Sequence, residues 1–527
     1  MTAQTSTEAA DRAAASAAAS SDAPRPADAS PLPRPTTRQW LALGVLALTA
    51  LLLSLDVSVL YLALPELSAD LGASTTQQLW ILDIYSFVLA GCLVTMGAIG
   101  DRIGRRRLLL IGAAAFGIAS ACAAWATSPE QLILWRAVLG IAGATLMPST
   151  MGLLRTIFTS ERSLMTAIGV WFSCFMGGMA IGPLVGGVLL QHFWWGSAFL
   201  LGVPFMALLL VAGPRLLPES ERHAGASVDH ASSALSLLAI LPIIHAFKEM
   251  ARGGSVTVAT AAGVVGLAMG WLFLRRQRRI ANPLVDLTLF RSRAFSTALA
   301  VMLLGGIVMA GLSFVSSQWL QLVAGLSPLG AGLAMLPANV ALLAASASSA
   351  TVARRLGTPR AMVVGLMICA LGLAIHTQVE AATGLALVIT GMVLASFGIM
   401  LPSTLTMSVM MQSSPPERAG SVASLSETSG EFGVAVGVAG LGSLATVVYR
   451  DQLQPYAASQ PGSVGEVSLD SLAGALQSAM TLPAKAGLEL ASAAQAAFTT
   501  SLAVVAGVGA AILLTLAGAA WAALRRS

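Results

Sequence analysis

Charged residues are scarce in this 527-residue chain, where Asp, Glu, Lys and Arg together make up 10%. A soluble globular protein carries about 25% charged residues, so the composition excludes an ordinary soluble domain. Long apolar runs recur from about residue 39 onward, and the alternating pattern of a β-barrel is absent. These features predict an all-α polytopic membrane protein.

Signatures of enzyme chemistry are also missing. The four cysteines lie inside apolar runs without a CxxC pair, and the five histidines have no metal-ligand spacing. This pattern predicts neither a disulfide framework nor a metal site. No P-loop occurs. We therefore expect no enzymatic activity, no cofactor and no direct use of ATP.

About fourteen apolar segments approach the ~20 residues that a helix needs to cross a bilayer. The predicted spans are 39–64, 79–99, 108–126, 131–155, 165–190, 195–213, 233–250, 255–274, 295–322, 329–352, 361–377, 383–411, 419–448 and 498–522. Residues 1–38 are mostly small and polar, which predicts a disordered tail. The long loop 449–497 is predicted either as amphipathic helices lying on the outer face or as a plain linker.

Arginine supplies nearly all of the positive charge, since Lys248 and Lys485 are the only lysines. It collects in alternate loops, such as 102–107, 275–293 and 354–360. Positive residues mark cytoplasmic loops, so we expect both termini in the cytoplasm. The same distribution explains the net charge of +5 without a nucleic-acid partner.

An internal repeat divides the chain. Three short matches recur at offsets of 253, 254 and 256 residues: Arg102-Ile103-Gly104 with Arg355-Leu356-Gly357, Met147-Pro148-Ser149-Thr150 with Leu401-Pro402-Ser403-Thr404, and Glu161-Arg162 with Glu417-Arg418. We therefore predict two six-helix halves, 39–215 and 281–527, with two inserted helices in 216–280. Parallel halves of this kind are the architecture of major facilitator transporters.

Asp56, Asp83 and Arg136 lie within predicted membrane helices, where a charge costs at least ~2.5–3.5 kcal/mol and marks a functional candidate. Asp56 lies well inside the first helix; the alternative role is a buried ion pair. Asp83 is near the outer end of the second helix, where it serves in proton or substrate entry or is simply hydrated. Arg136, in the fourth helix, needs a carboxylate or backbone carbonyl groups as partners.

Glu427 and Glu431 are four residues apart in the thirteenth segment and share a helix face. Two close carboxylates do not both ionise easily, so one is expected to hold a proton. A group that exchanges a proton for an organic cation would suit transport. The alternative is a hydrated helix end. Four aromatic residues at membrane depth, Tyr61, Tyr85, Trp171 and Phe175, are candidates for stacking on such a cation.

Two glycine motifs indicate moving or tightly packed helices. Gly97, Asp101, Arg102, Gly104 and Arg105 lie in the loop between the second and third helices, which predicts a charge-paired latch. The second motif places small residues on one face of the fifth helix, which lets two helix backbones touch. Its members are Gly178, Gly182, Pro183, Gly186 and Gly187. A tight helix crossing is the simpler interpretation of this motif.

Together these motifs resemble the fourteen-helix drug:proton antiporters of the major facilitator superfamily, of the QacA, SmvA and LfrA type. The resemblance covers nearly the whole chain after residue 38. It rests on Leu55-Asp56 with Ala63-Leu64-Pro65, on Trp80 to Tyr85, on Gly97 to Arg107, on Leu134-Trp135-Arg136 with Gly140 and Gly143, and on Gly178 to Gly187.

The resemblance implies a monomeric efflux antiporter of the bacterial inner membrane that uses the proton gradient. Its expected partners are protons, lipids and lipophilic cations such as drugs, dyes or quaternary ammonium compounds. Asp56, Asp83, Arg136 and Glu427 are the residues it implies for proton coupling and cation recognition, with Glu431 beside them. Relatives that handle dications have an acidic residue in the tenth helix, where this chain has Asn339. That difference favours monovalent cations.

Two alternatives stay open. A narrow exporter of one metabolite or antibiotic would have the same fold and charges. A membrane receptor that no longer transports is disfavoured because the intramembrane charges are intact.

Overall fold

The computed structural model describes residues 36–219, 230–251, 254–280, 289–381, 384–413, 419–459 and 471–524. These residues are nearly all helical. Within the described residues the long helices, numbered α1 to α14 in chain order, are Thr37–Leu71, Thr75–Ile103, Arg105–Ala124, Pro129–Ile157, Glu161–His192, Gly202–Leu216, His230–Ala251, Val256–Gln277, Arg293–Gln318, Pro328–Leu356, Thr358–His376, Leu385–Gln412, Ala419–Ser459 and Ala484–Leu524. The predicted disordered tail lies almost wholly outside them.

Among the described residues, 12 helices are long and apolar enough to cross a membrane. Helices α2 and α7 bring the number of long helices to fourteen, in the order that the sequence predicted. The predicted all-α polytopic fold is therefore confirmed.

Short polar motifs determine where the helices begin. Thr36 caps α1 and exchanges hydrogen bonds with Gln39, and Ser74 does the same for α2 with Gln77. Each pair is a capping box, which satisfies two backbone N–H groups at a helix start. Between the two helices, Gly72 adopts φ +64 and ends α1, a conformation that glycine adopts without a steric penalty.

Helix α7 closes a gap between α2 and α13. Phe87 of α2, Ile244 of α7, and Ala435 and Ala439 of α13 form one buried apolar cluster. Helix α8 packs behind α7, with Gly266 against the backbone of Ala239. Its other faces leave large apolar side chains exposed, as a surface in contact with lipid requires.

The repeat seen in the sequence has a structural counterpart. Gly104 joins α2 to α3 with φ 101, and Gly357 joins α10 to α11 with φ 82. A Cβ on Gly112 would meet Thr145, and one on Gly365 would meet Gly398, so α3–α4 and α11–α12 cross at equivalent points. The two helix crossings are therefore repeated along the chain, and the division into 39–215, 216–280 and 281–527 stays a prediction.

The segment 449–497 is more helical than a plain linker. Helix α13 continues to Ser459, a short helix spans Leu472–Thr481, and α14 begins at Ala484. The predicted span 498–522 thus starts too late. Polar and small residues permit a helix as well as a loop, and tertiary contacts decide between them. One such contact is the hydrogen bond that Gln495 Nε2 donates to the Leu322 carbonyl oxygen, at 3.0 Å.

Two glycines of α13 provide a test of helix packing. A Cβ on Gly437 would collide with the carbonyl group of Ile307 in α9, whereas nothing lies within 4 Å of a Cβ on Gly440. We expect Gly437→Ala to destabilise the protein by about 1–3 kcal/mol, because overpacking forces helices apart. Gly440→Ala is the matched control and should be neutral or slightly stabilising, since Ala favours helices. Thermal unfolding in detergent measures both, and equal midpoints would contradict the α9–α13 contact.

Candidate functional site

A buried ion pair joins the first and fourth helices. Arg136 Nη1 lies 2.8 Å from Asp56 Oδ2, and the two residues are only 1% and 8% exposed. The sequence left two readings of Asp56 open, a functional charge and a buried ion pair. The ion pair is present. An Arg side chain keeps its charge when buried, so in this arrangement the Asp56 carboxylate is its counter-ion.

A second nitrogen of the Arg136 guanidinium also has a partner. Its Nε donates to the carbonyl oxygen of Ile81 at 3.1 Å, and its central carbon lies 4.5 Å above the ring of Tyr85. Gly140 and Gly143 let α4 approach Tyr85 closely, since a Cβ at either position would crowd that residue. Tyr85 thus contacts a protein cation, whereas the sequence analysis assigned it to a substrate.

Asp83 is the main departure from expectation in this region. The sequence placed it near the outer end of α2, where water could reach it, but it is only 1% exposed. Helix α2 begins at Thr75, so Asp83 is about two turns inside it. Neighbouring helices cover this depth. The reading as a hydrated helix end is therefore wrong.

Asp83 and Arg136 line a cavity of about 250 Å³ together with Tyr61. The full lining is Val57, Leu60, Tyr61, Leu82, Asp83, Ser86, Arg136, Val434, Ala435 and Val438. The last three belong to α13, so the cavity lies between the first helices and α13. We call it the charged cavity. The volume of about 250 Å³ includes space open to solvent, and the enclosed part has room for about one water molecule, so in this conformation the cavity does not hold a drug.

Glu431 also belongs to this region. Its carboxylate and that of Asp83 lie within electrostatic range of the Tyr61 hydroxyl group. The sequence analysis missed Ser86, Val434 and Val438 as lining residues. Helical periodicity could have found them, because Ser86 is three residues after Asp83 and Val434 is three residues after Glu431.

Other predicted site residues lie elsewhere. Trp171 and Phe175 stack on each other with ring centroids 6.0 Å apart, and neither lines the charged cavity. The side chain of Glu427 lies outside the described residues, as does that of Asp101.

The glycine motif of α5 packs against the helix that carries Asp56. A Cβ on Gly178 would collide with Ser54, one on Gly182 with Ser58, and one on Gly186 would lie 3.0 Å from Val59 Cγ1. Residues 54 and 58 face α5, so Asp56, half a turn away, faces α4. The predicted tight helix crossing is confirmed, and it fixes the direction of Asp56.

The same motif also meets α10. A Cβ on Gly187 would lie 2.7 Å from Leu329 Cα, and one on Gly332 would collide with the Pro183 carbonyl group. Asn339 Nδ2 donates to the Ala180 carbonyl oxygen at 2.8 Å. We call these contacts the α5–α10 seam. It lies near the helix ends opposite the Arg-rich loops.

The loop motif between α2 and α3 sits on α4. A Cβ on Gly97 would lie 3.8 Å from Pro148, and the Arg105 side chain lies against Gly152. Arg102 is exposed. Arg106 forms an ion pair with Glu219 at 2.8 Å and donates to the Leu217 carbonyl group. An ion pair thus lies beside this loop, but it joins Arg106 to Glu219, beyond α6, and the latch predicted around Asp101 stays a prediction.

A family model described as Major Facilitator Superfamily matches residues 46–438. The chain belongs to the Major Facilitator Superfamily. Among its relatives, the multidrug efflux pump LfrA of Mycolicibacterium smegmatis is 42% identical over 94% of this chain and 98% of that protein. The methyl viologen resistance protein SmvA of Salmonella typhimurium is 34% identical over 93% and 99%.

A solved major facilitator structure has the same fold. A bacterial homologue of the lysosomal transporter Spinster, inward-facing and unoccupied, matches with a TM-score of 0.64, 18% identity, and coverage of 93% of this chain and 98% of that one. The predicted LfrA and SmvA type, the efflux-transporter class and the expectation of a non-enzyme are confirmed. The chain is a multi-pass membrane protein.

The ion pair gives a stability prediction. Arg136→Met should lower the free energy of unfolding by about 3–5 kcal/mol, because it leaves the Asp56 carboxylate buried without its partner. Adding Asp56→Asn removes that charge, so the double variant should recover part of the loss. Thermal unfolding of the wild type, both single variants and the double variant measures the coupling. If the double variant loses as much stability as the two single variants together, the ion pair does not contribute to the stability of the protein.

Proposed function

We propose that this protein is a proton-coupled antiporter that exports lipophilic cations across the bacterial inner membrane, acting as a monomer in lipid. The Arg-rich loops and both termini face the cytoplasm, following the charge asymmetry of the loops. The observation that carries the proposal is the buried Asp56–Arg136 pair beside a cavity that holds Asp83 and faces Glu431. Buried carboxylates within a membrane bundle are functional candidates, and their charge state responds to protons and to nearby cations.

The ion pair gives the exchange a physical basis. While Asp56 is ionised, Arg136 binds it, and α1 and α4 are held together. Protonation of Asp56 would remove that attraction, and Arg136 could turn to Asp83 or Glu431. Neutralised carboxylates bind a cation weakly, so proton uptake from outside would favour release of the exported cation.

The small size of the charged cavity fits one state of such a cycle. The α5–α10 seam closes the end opposite the Arg-rich loops through backbone contacts. A drug-sized cation would need α13 to move away from α1 and α2. Alternating access by rocking of two halves supplies this motion.

Names of relatives support the substrate class. LfrA is a multidrug efflux pump, and SmvA is named for resistance to methyl viologen, which is a dication. Asn339, where an acidic residue would favour dications, instead donates to the Ala180 carbonyl group within the α5–α10 seam. Monovalent cations remain the favoured substrate class, and export of methyl viologen should be measured alongside that of ethidium.

A narrow exporter is the second candidate. It has support because the puromycin resistance protein pur8 of Streptomyces alboniger is 30% identical over 83% of this chain and 88% of that protein. A narrow exporter would move one compound and leave unrelated dyes in the cell.

Ethidium efflux from energised vesicles tests the proposal. We expect wild-type efflux to stop when the proton gradient is collapsed, and Asp56→Asn to lower it at least tenfold, because an amide cannot exchange a proton. Asp70→Asn is the control on the same helix. Its carboxylate is exposed and accepts from Trp195 Nε1 at 2.7 Å, and an amide oxygen can still accept that bond.

The outcomes separate the candidates. Efflux that persists without the gradient, or in Asp56→Asn, would contradict proton coupling through α1. Gradient-driven export of one compound but not of ethidium or methyl viologen would favour the narrow exporter.

A further inference from the structure

A second cavity lies on the same interface as the charged cavity. Its volume is about 320 Å³, which includes space open to solvent, and it is lined by α2, α9, α13, α14 and residues Ser471 and Leu472. From α2 it uses Gln78, and from α13 it uses Gly442, Thr446 and Tyr449. We call it the vestibule. It lies near the helix ends opposite the Arg-rich loops.

The two cavities follow one another along α2 and α13. On α2, Gln78 lines the vestibule and Asp83 lines the charged cavity, a separation of about 7.5 Å along the helix axis. On α13, Val438 lines the charged cavity and Gly442 lines the vestibule, which is about one turn apart. The cavities therefore lie in sequence on one path.

A narrow contact separates them. Leu79 is buried, and a Cβ on Gly442 would lie 2.6 Å from Leu79 Cδ2. Leu79 thus rests directly on the α13 backbone, between the two groups of lining residues. A small change in the α2–α13 distance would join the cavities.

The vestibule lining suits an aromatic cation that is held weakly. Phe314, Tyr449 and Phe498 line it, and the last two rings pack edge to face with centroids 6.2 Å apart. Aromatic faces attract organic cations. None of its described lining residues carries a formal charge, so a bound cation would not be held by an ion pair.

An amide side chain also lines the vestibule. Gln318 is one of the lining residues and is 7% exposed. An amide at a cavity wall can both donate and accept hydrogen bonds, so a bound ligand or water can pair with it. A π-helical turn, Trp319–Val323, follows immediately, and such turns are frequent at functional sites.

We propose that the vestibule is a second, weaker binding station for lipophilic aromatic cations, which a transported cation enters after leaving the charged cavity. The inference rests on the proposed function for the direction of movement. The Gln318 amide and the aromatic rings bind the cation, and the absence of a carboxylate lets it leave. Leu472 lines the outer side of the vestibule, and its short helix packs on α14 and touches α1.

Cysteine protection tests the station directly. Thr446→Cys, in the full-length chain with its four native cysteines replaced by serine, is treated from outside with a membrane-impermeant thiol reagent. We expect labelling that ethidium slows in a concentration-dependent way. Thr481→Cys is the matched control on the short outer helix, where residue 481 is exposed and does not line the vestibule. It should be labelled without ethidium protection.

A second variant tests the chemistry of the lining. Gln318→Leu should raise the ethidium concentration for half-protection about three- to tenfold, as expected for one lost hydrogen bond. Gln321→Leu is the control. Gln321 is three residues away, lies outside the vestibule lining and donates to the Ser317 carbonyl group. It should leave the half-protecting concentration unchanged.

The results distinguish this inference from the proposed function. One outcome is that wild-type vesicles export ethidium while ethidium does not slow the labelling of Thr446→Cys. In that case the vestibule is not a binding site and the antiporter proposal stands. Equal effects of Gln318→Leu and Gln321→Leu would likewise overturn the role of Gln318. If ethidium protects Thr446→Cys but no gradient-driven export is measured, the vestibule is still a binding site and the antiporter proposal is contradicted.

Discussion

The Asp56–Arg136 ion pair is the constraint on which the surrounding helices depend. Two charges buried from solvent are tolerated only when each satisfies the other and the remaining donors find acceptors. The Ile81 carbonyl group and the Tyr85 ring complete the surroundings of Arg136. That arrangement requires α2 to approach α4 closely, which Gly140 and Gly143 permit. The glycine motif of α5 holds the opposite face of α1, so that Asp56 points toward Arg136.

The described interface between the first helices and the last six combines two kinds of contact. In the α5–α10 seam, backbones meet through Gly187 and Gly332, with Asn339 as a polar contact. Between α2 and α13, side chains surround two cavities with Leu79 between them. The first interface is rigid and specific in shape, and the second can widen by small helix movements. This difference suits a transporter that needs both a seal and a passage.

Much of this fold could be predicted from the sequence, because helices in a membrane leave long apolar runs and their loops carry arginine. The need of Arg136 for a carboxylate was also predictable, since its charge cannot be removed. The burial of Asp83 was not, because depth in a bundle depends on neighbouring helices and not on distance from a helix end. Nor was the place of Gln318 in the vestibule lining, since an amide in an apolar run gives no sign of which cavity it lines. The helical extension of α14 was missed because its small residues have no clear periodicity.

The glycine contacts of the α5–α10 seam also limit how this protein can change over evolutionary time. At Gly187 and Gly332 the neighbouring atoms are backbone, so no side-chain rearrangement elsewhere can make room for a larger residue. Val57, Val434 and Val438, by contrast, line the charged cavity with their side chains, and exchanges among apolar residues there change its shape. Under selection by a new toxic compound, adaptive substitutions should therefore accumulate in the cavity lining, while the seam is inherited almost unchanged.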